Sequence, residues 1–217
     1  MGKNQTLNEI LKRKVVAVLR VKEESKLQSI IESINAGGIS IAEITMTVPN
    51  AIQLIERMCE KLDKNIIIGV GSVLNSKTAE SAIKANTKYV VSPVFNKEII
   101  ETAHRFEVPA IPGCFSPTEI QTAFEAGADI VKVFPADIVG MEFFKAILAP
   151  MPHLKIMPTG GVSPDEANLK SWFEAGATCV GMGSQLFPKE VLAEKNYEYI
   201  TKKCTEALEI IKKYRNR

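Results

Sequence analysis

The chain has 217 residues, of which 46% are hydrophobic and 24% are charged, and its formal net charge at pH 7 is +2. This composition argues against intrinsic disorder and favours one domain with a substantial core. Basic and acidic residues are interspersed, so the charge balance predicts no nucleic-acid partner. The only basic block is the end KKYRNR (212–217), which we interpret as a solvated helix terminus.

The first segment, MGKNQTLNEILKRK (1–14), has a charged helical pattern. A secretory signal would need an apolar stretch of roughly 7 to 15 residues there, so we expect no export. No apolar run approaches the roughly 20 residues of a membrane-spanning helix, so we expect no membrane partner. The cysteines, Cys59, Cys114, Cys179 and Cys204, lie far apart without a C-x-x-C pair. They predict buried thiols in a cytoplasmic protein, and neither a zinc site nor disulfides.

Short runs rich in β-branched residues alternate with amphipathic segments along the whole chain and predict strands. These runs are VVAVLRV (15–21), AEITMT (42–47), NIIIGVG (65–71), KYVVSP (88–93), VPAIPG (108–113), DIVKVFP (129–135), KIMPTGG (155–161) and TCVGMGS (178–184). Eight βα units in about two hundred residues predict an α/β fold, a single-domain (β/α)8 barrel. It would span residues 1–217, with an N-terminal helix and a C-terminal helical tail.

Repeated corner motifs favour this cyclic fold. Phe-Glu-Ala-Gly-Ala occurs at 124–128 and again at 173–177, with each glycine where a helix must stop before the next strand. SPTE (116–119) and SPDE (163–166) both predict an N-cap serine followed by proline at the first helical position. The rival fold is an open doubly wound sheet, which would show G-x-G-x-x-G after the first strand, and VLRVKE does not.

Active sites of such barrels lie at the carboxyl ends of the strands. The polar, proline and glycine residues at these ends are Arg20, Glu43, Thr45, Thr47, Ser72, Ser92, Pro93, Pro112, Gly113, Lys132, Thr159, Gly160, Gly161, Gly183 and Ser184.

Lys132 is the most unusual of them, because it lies in the middle of the apolar strand DIVKVFP. Both faces of a barrel strand are covered, so this side chain cannot easily reach water. Desolvation would lower the lysine pKa and yield an amine nucleophile, which is the chemistry of a Schiff base. The alternative is a lysine that pairs with a structural acid or reaches the rim of the barrel.

Glu43 is the one ionisable residue of its strand and shares a face with Thr45 and Thr47. A carboxylate beside an imine-forming lysine can shuttle the protons that carbinolamine formation, dehydration and carbon–carbon cleavage require. The alternative is a carboxylate that only neutralises a nearby cation. We favour the catalytic interpretation.

Two glycine-bearing loops follow the seventh and eighth strands. MPTGGVSPDE carries Thr159, Gly160 and Gly161, and GMGSQL carries Gly183 and Ser184. Barrels commonly bind phosphate between these two loops, where backbone amides and a helix N-terminus donate, so we expect a phosphorylated substrate. Arg20 is adjacent around a closed barrel and would add a charge-assisted contact, or else form a surface ion pair. Neither histidine, His104 or His153, lies at a strand end, so no metal or other cofactor is expected.

Six motifs, EITMTVPNA, GVGSVLN, VVSPVF, IPGCFSPTE, VKVFPA and PTGGVS, occur in this order. In order and spacing the chain resembles the bacterial 2-keto-3-deoxy-6-phosphogluconate aldolase / 4-hydroxy-2-oxoglutarate aldolase family, from VVAVLR through GSQL. The resemblance implies a metal-independent class I aldolase, usually a homotrimer, that cleaves 2-dehydro-3-deoxy-6-phosphogluconate to pyruvate and glyceraldehyde 3-phosphate in Entner–Doudoroff metabolism.

By motif position the resemblance also implies roles for individual residues. Lys132 would form the Schiff base and Glu43 would be the general acid and base. Ser72 would help to hold the pyruvyl carboxylate, and Pro93 and Phe134 would line the pyruvyl pocket. The distal phosphate would be held by Arg20, Gly160, Gly161, Gly183 and Ser184, with Thr159 nearby.

The chain departs from the family pattern at Thr47, where several members carry an arginine that binds the substrate carboxylate. Its loss leaves the preferred 2-keto acid open. Cleavage of 4-hydroxy-2-oxoglutarate to pyruvate and glyoxylate is a second expected activity, and the galactonate epimer is an alternative substrate. A metal-free sugar-phosphate isomerase and a non-catalytic phosphometabolite-binding barrel are alternatives from other classes.

Overall fold

A computed structural model describes residues 1–21 and 23–214. Within these residues the chain forms nine strands and ten helices. The strands are β1 Val15–Leu19, β2 Ile41–Thr45, β3 Ile67–Gly71, β4 Val90–Val91, β5 Ala110–Ile111, β6 Gly113–Cys114, β7 Val131–Val133, β8 Ile156–Pro158 and β9 Val180–Met182. The helices are α1 Lys3–Arg13, α2 Glu24–Ala36, α3 Ala51–Lys61, α4 Ser76–Lys84, α5 Lys97–Arg105, α6 Pro117–Glu125, α7 Ala136–Leu148, α8 Glu166–Glu174, α9 Lys189–Ala193 and α10 Tyr197–Lys213.

The strands are all parallel and follow one another around a (β/α)8 barrel, as the sequence predicts. One sheet has the order β5-β4-β3-β2-β1-β9 and the other the order β6-β7-β8. A bridge between Thr159 and Gly181 links the end of β8 to β9. The predicted fifth strand, VPAIPG, is split at Pro112 into β5, which pairs with β4, and β6, which pairs with β7. Proline has no N–H to donate, which interrupts the ladder at that residue.

Alternating side chains of the strands build two apolar layers. Val16, Ile41 and Ile67 belong to a cluster inside the barrel, whereas Val15 and Leu19 pack against the surrounding helices. Every residue of β1, β2 and β3 is buried, as expected for parallel strands covered on both faces.

Helix α1 closes the amino-terminal end of the barrel. Its Ile10 is fully buried in the inner cluster, and Leu7 and Leu11 pack against the same cluster. At the start of the helix, Lys3 Nζ lies 3.0 Å from Asp129 Oδ1. His104 Nε2 lies 2.8 Å from the other oxygen of the same carboxylate. One cluster of partly buried polar side chains therefore joins α1 and α5 to Asp129, which lies just before β7.

Helix α10 packs against the outside of α2 and α8. The Thr201 hydroxyl donates to the Ser33 carbonyl at 3.0 Å, and Lys213 Nζ lies 3.0 Å from Glu166 Oε1. The helix ends at Lys213. Of the basic end KKYRNR, residues 215–217 lie outside the described residues.

Two local predictions need correction, namely the N-cap residue of α8 and the burial of Cys59. Ser116 forms the predicted capping box with Glu119, and α6 begins at Pro117. In SPDE, however, α8 begins at Glu166 and its N-cap is Asp165, whose carboxylate accepts from the Asn168 amide. The carboxylate of Asp165 takes the capping role, and the Ser163 hydroxyl donates to that carboxylate instead.

Cys59 is only half-buried, whereas the other three cysteines are buried; all four are free.

Between residues 1 and 214, Lys22 apart, no helix combines the length and the apolar character that crossing a membrane requires.

We predict that Gly37→Ala destabilises the protein by about 1 to 3 kcal/mol, because overpacking forces two helices apart. A Cβ atom at Gly37 would lie 2.5 Å from Cys204 Cβ and 2.5 Å from the Thr201 carbonyl oxygen of α10. Urea unfolding measures the change. Gly2→Ala is the matched control, since a Cβ there meets nothing within 4 Å. Equal unfolding midpoints for the two variants would contradict the close packing of α10 on α2.

Candidate active site

The side chain of Lys132 lies inside the barrel. In β7 the flanking residues Val131 and Val133 face the helices, whereas Ile130 belongs to the inner cluster, so alternation turns Lys132 inward. The side chain is 3% exposed, and its Nζ lies 5.0 Å from the centre of the Phe134 ring. The lysine therefore does not reach the rim of the barrel.

Burial lowers the pKa of Lys132 below its ordinary value, since an interior of low polarity disfavours the charged form. The Glu43 carboxylate opposes this shift, and the nearby Arg20 cation adds to it. Desolvation is the largest of the three effects. Lys132 can therefore hold an uncharged, nucleophilic amine nearer to neutral pH than an exposed lysine can.

The Glu43 carboxyl group is buried in the same interior. Glu43 is 1% exposed, and within the described residues neither of its carboxyl oxygens has a hydrogen-bond partner. Burial raises its pKa, while the Lys132 and Arg20 cations pull the pKa back down. Glu43 can therefore gain and lose a proton closer to neutral pH than an exposed glutamate can.

Gly71 makes room for the Glu43 carboxyl group. The register of β2 and β3 pairs Glu43 with Gly69 and Thr45 with Gly71. A Cβ atom at Gly71 would overlap Glu43 Oε1. The Glu43 side chain therefore extends one pleat towards the carboxyl end of the barrel, where active sites of this fold lie.

A small pocket near this pair is lined by all of the residues predicted to bind phosphate. It is lined by Val18, Arg20, Phe134, Thr159, Gly160, Gly161, Val162, Gly181, Gly183, Ser184 and Gln185. Backbone amides of two glycine loops and one guanidinium suit an anion such as a phosphate group. In the described part of the chain Arg20 forms no ion pair, so the predicted alternative of a surface salt bridge is absent there.

The glycines of the first loop are required by its backbone. Gly160 and Gly161 have φ values of 101° and 67°, which residues with a side chain rarely adopt. They also pack against α7, where a Cβ at Gly160 would lie 2.8 Å from Asp137 Oδ1. Thr159 is 4% exposed, and its hydroxyl has no hydrogen-bond partner among the described residues.

Three other predicted residues lie at strand ends outside this pocket. Ser72 follows β3, is half-buried and has a φ of 57°. Pro93 follows β4. Its backbone approaches Gly113 so closely that a Cβ atom at Gly113 would overlap the Pro93 backbone. Thr47 is exposed, and its Oγ1 lies 2.7 Å from Thr45 Oγ1, which itself donates to the Leu19 carbonyl at 3.2 Å.

The sequence interpretation missed Tyr89, whose ring fills the barrel interior at the level of Gly69. The signal was present in GVG (69–71), where two glycines stand on the inward face of one strand. Alternating glycines make room for large neighbours, here the Tyr89 ring and the Glu43 carboxyl group.

Metal-ligating side chains do not gather here. No group of three or more His, Cys, Asp or Glu side chains that could hold a metal ion occurs among residues 1–21 and 23–214.

The model of the family described as "KDPG and KHG aldolase" matches residues 7–203. A 2-dehydro-3-deoxy-phosphogluconate aldolase of Pseudomonas aeruginosa is 31% identical over 204 residues, which cover 93% of this chain and 91% of the relative. A 2-dehydro-3-deoxy-6-phosphogalactonate aldolase of Escherichia coli is 29% identical over 174 residues, 80% of this chain and 84% of the relative.

Among solved structures, the KDPG aldolase of Legionella pneumophila matches this chain with a TM-score of 0.82 and 29% sequence identity. The match covers 93% of this chain and 97% of the Legionella chain. That structure holds pyruvate captured as a covalent carbinolamine intermediate. The family model, the Pseudomonas relative and the Legionella structure each match nearly the whole chain. The chain belongs to the KDPG and KHG aldolase family.

Proposed function

We propose that this protein is a class I aldolase that cleaves 2-dehydro-3-deoxy-6-phosphogluconate reversibly to pyruvate and glyceraldehyde 3-phosphate. One observation carries the proposal: the buried amine of Lys132 shares the barrel interior with the buried carboxyl group of Glu43. Burial lowers the pKa of this amine. The pocket of Arg20 and the two glycine loops supports a phosphorylated substrate.

Lys132 would act first. Its neutral amine attacks the C2 carbonyl of the 2-keto acid to form a carbinolamine, and loss of water gives a protonated imine. As the C3–C4 bond breaks, its electron pair forms the C2=C3 double bond of an enamine while the electron pair of the C=N double bond moves onto nitrogen. Only a lysine that is uncharged for part of the time can begin this sequence, which agrees with the effect of burial on its pKa.

Glu43 would move the protons. Its carboxylate accepts the proton of the C4 hydroxyl while the C3–C4 bond breaks and the aldehyde leaves. The same group then returns a proton to C3 of the enamine, and water releases pyruvate and the free amine. No described residue holds the Glu43 carboxyl group in a hydrogen bond, so it is available for both transfers.

Two related substrates use the same keto-acid end. Cleavage of 4-hydroxy-2-oxoglutarate to pyruvate and glyoxylate needs Lys132 and Glu43 in the same roles but leaves the phosphate pocket unused. The galactonate epimer is the second candidate, favoured by the similarity to the Escherichia coli phosphogalactonate aldolase. Thr47 and Ser72 are proposed to contact the keto acid, with Pro93 and Phe134 along the pyruvyl pocket.

We propose further that the protein works in the cytoplasm, where its four free thiols remain reduced.

Incubation with pyruvate followed by borohydride reduction should leave a reduced pyruvyl adduct on Lys132, located by peptide mass spectrometry. Lys132→Ala should lose both the adduct and aldol cleavage. Glu43→Gln should still form the adduct while turnover falls by roughly 10²- to 10⁴-fold, the usual contribution of acid–base catalysis.

The control is Lys84→Ala, which removes an exposed lysine paired with Glu80 at 2.7 Å. It should leave adduct and turnover unchanged. If wild-type protein forms no adduct where a known class I aldolase is trapped, the imine assignment is wrong. The isomerase or the non-catalytic binding barrel would then be the better interpretation.

Arg20→Ala should raise the KM for the phosphorylated substrate by roughly 10- to 100-fold, because it removes a charge-assisted hydrogen bond. The KM for 4-hydroxy-2-oxoglutarate, which has no phosphate, should not change. Steady-state kinetics on both substrates gives the comparison. Arg13→Ala is the control, since Arg13 pairs with Glu9 at 2.8 Å in α1. An equal rise in KM for both substrates would remove Arg20 from phosphate binding.

We also propose a homotrimer. Four large apolar side chains are exposed beyond the carboxyl ends of β3, β4, β6 and β7, namely Leu74 at 60%, Val94 at 47%, Phe115 at 44% and Ile138 at 70%. Exposed apolar side chains that share one face of a protein favour burial against another protein surface.

The number three comes from the family resemblance, which implies a trimer, so light scattering should give three times the chain mass of 23.8 kDa. The double variant Leu74→Asp/Ile138→Asp should shift the protein towards a smaller species, since charges at these positions oppose burial. Phe106→Ser is the control, because Phe106 lies just past the end of α5 and away from these strand ends. A stable wild-type monomer would exclude the trimer.

A further inference from the structure

Another buried polar group lies in the barrel interior with Glu43 and Lys132. Tyr89 is 0% exposed, and its hydroxyl has no hydrogen-bond partner within residues 1–21 and 23–214. Both carboxyl oxygens of Glu43 are likewise buried without a hydrogen-bond partner among these residues. Buried polar atoms are nearly always hydrogen-bonded, so an unpaired donor and an unpaired acceptor in one interior call for a common explanation.

Strand register places the two side chains one pleat apart. Val90 pairs with Val70, and Glu43 pairs with Gly69. Tyr89 therefore stands at the level of Gly69, and a Cβ atom at Gly69 would overlap Tyr89 Cζ, the atom that bears the hydroxyl. The Glu43 carboxyl group reaches the next inward position, at Gly71. The phenol thus forms the floor beneath the carboxyl group.

Besides Tyr89 and Glu43, three titratable groups face this interior. None of the three is as strong a hydrogen-bond acceptor as the Glu43 carboxylate. Lys132 as an ammonium and Arg20 are donors only. The Cys179 thiol, on the residue just before β9, is a weak acceptor whose pKa burial raises to about 12, so it stays protonated. Burial, and then Glu43, raise the pKa of Tyr89 well above its ordinary value, so the phenol keeps its proton and can donate it in a hydrogen bond.

We propose that the Tyr89 hydroxyl is a positioning group for Glu43. It acts through one bridging water, since no direct hydrogen bond joins the two groups. The bridge fixes the direction of the carboxylate and favours its charged form. This inference rests on the acid–base role proposed for Glu43. Tyr89 itself does not touch the reacting atoms.

The ring and the hydroxyl of Tyr89 have separable effects. The ring fills the space that Gly69 leaves inside the barrel, and phenylalanine would fill it equally well. Tyr89→Phe therefore removes only the donor. A hydrogen bond to the charged form lowers the pKa of a carboxyl group, so its removal should raise the pKa of Glu43.

The test is the pH dependence of kcat/KM for wild type, Tyr89→Phe, Glu43→Gln and the double variant. We expect the ionisation that Glu43→Gln abolishes to move to higher pH in Tyr89→Phe, by roughly 0.5 to 1 pH unit. In the Glu43→Gln background, Tyr89→Phe should change the residual turnover by less than about twofold, because the partner is already lost. Tyr199→Phe, in α10, is the matched control and should follow wild type.

Thermal melting and trapping of pyruvate by borohydride accompany each profile. Tyr89→Phe should keep the wild-type melting temperature and the Lys132 adduct. A Tyr89→Phe profile that superimposes on wild type overturns the positioning role. A uniform fall in rate together with a lower melting temperature, but no shift in ionisation, also overturns it and leaves Tyr89 as a filler. Full activity of Glu43→Gln would instead contradict the proposed function, so the two failures are distinguishable.

Discussion

A closed parallel barrel gives an inward side chain no route to water, and the chemistry of this protein depends on that constraint. Lys132 points inward because Val131 and Val133 on either side face the helices. Its amine cannot leave the interior, so burial lowers its pKa. Glu43 enters the same space from β2, and burial shifts its pKa in the opposite direction. One geometric feature thus brings both groups closer to uncharged forms that can exchange protons.

Within the described part of the chain, polar groups at the amino end of the barrel are paired with one another, whereas several polar groups farther along the barrel are not. At the amino end, Ile10 of α1 fills the inner cluster, and Lys3 and His104 converge on the Asp129 carboxylate. These contacts are satisfied and serve stability. In the middle of the barrel and towards its carboxyl end, Tyr89, Glu43 and Thr159 keep buried polar atoms without hydrogen-bond partners among the described residues. Such groups cost stability, and enzymes retain them where a substrate or a proton transfer uses them.

Small residues position the large ones in this interior. Gly69 leaves space for the Tyr89 ring, Gly71 for the Glu43 carboxyl group and Gly181 for the Thr159 side chain, since a Cβ at each would overlap its neighbour. Gly160 and Gly161 instead allow a backbone with positive φ beside the anion pocket. The glycines of this sequence therefore shape the interior as well as the turns.

The sequence by itself determined the alternation of strands and helices, the barrel, and the unusual placement of Lys132 and Glu43 in apolar strands, because these follow from local periodicity. It also indicated the glycine loops around Gly160 and Gly183. It could not show that Pro112 divides a strand between two neighbours, that Asp165 rather than Ser163 caps α8, or that Tyr89 lies under Glu43. Those outcomes depend on which residues of different strands and loops share one level, and register between distant segments is fixed only when the barrel closes.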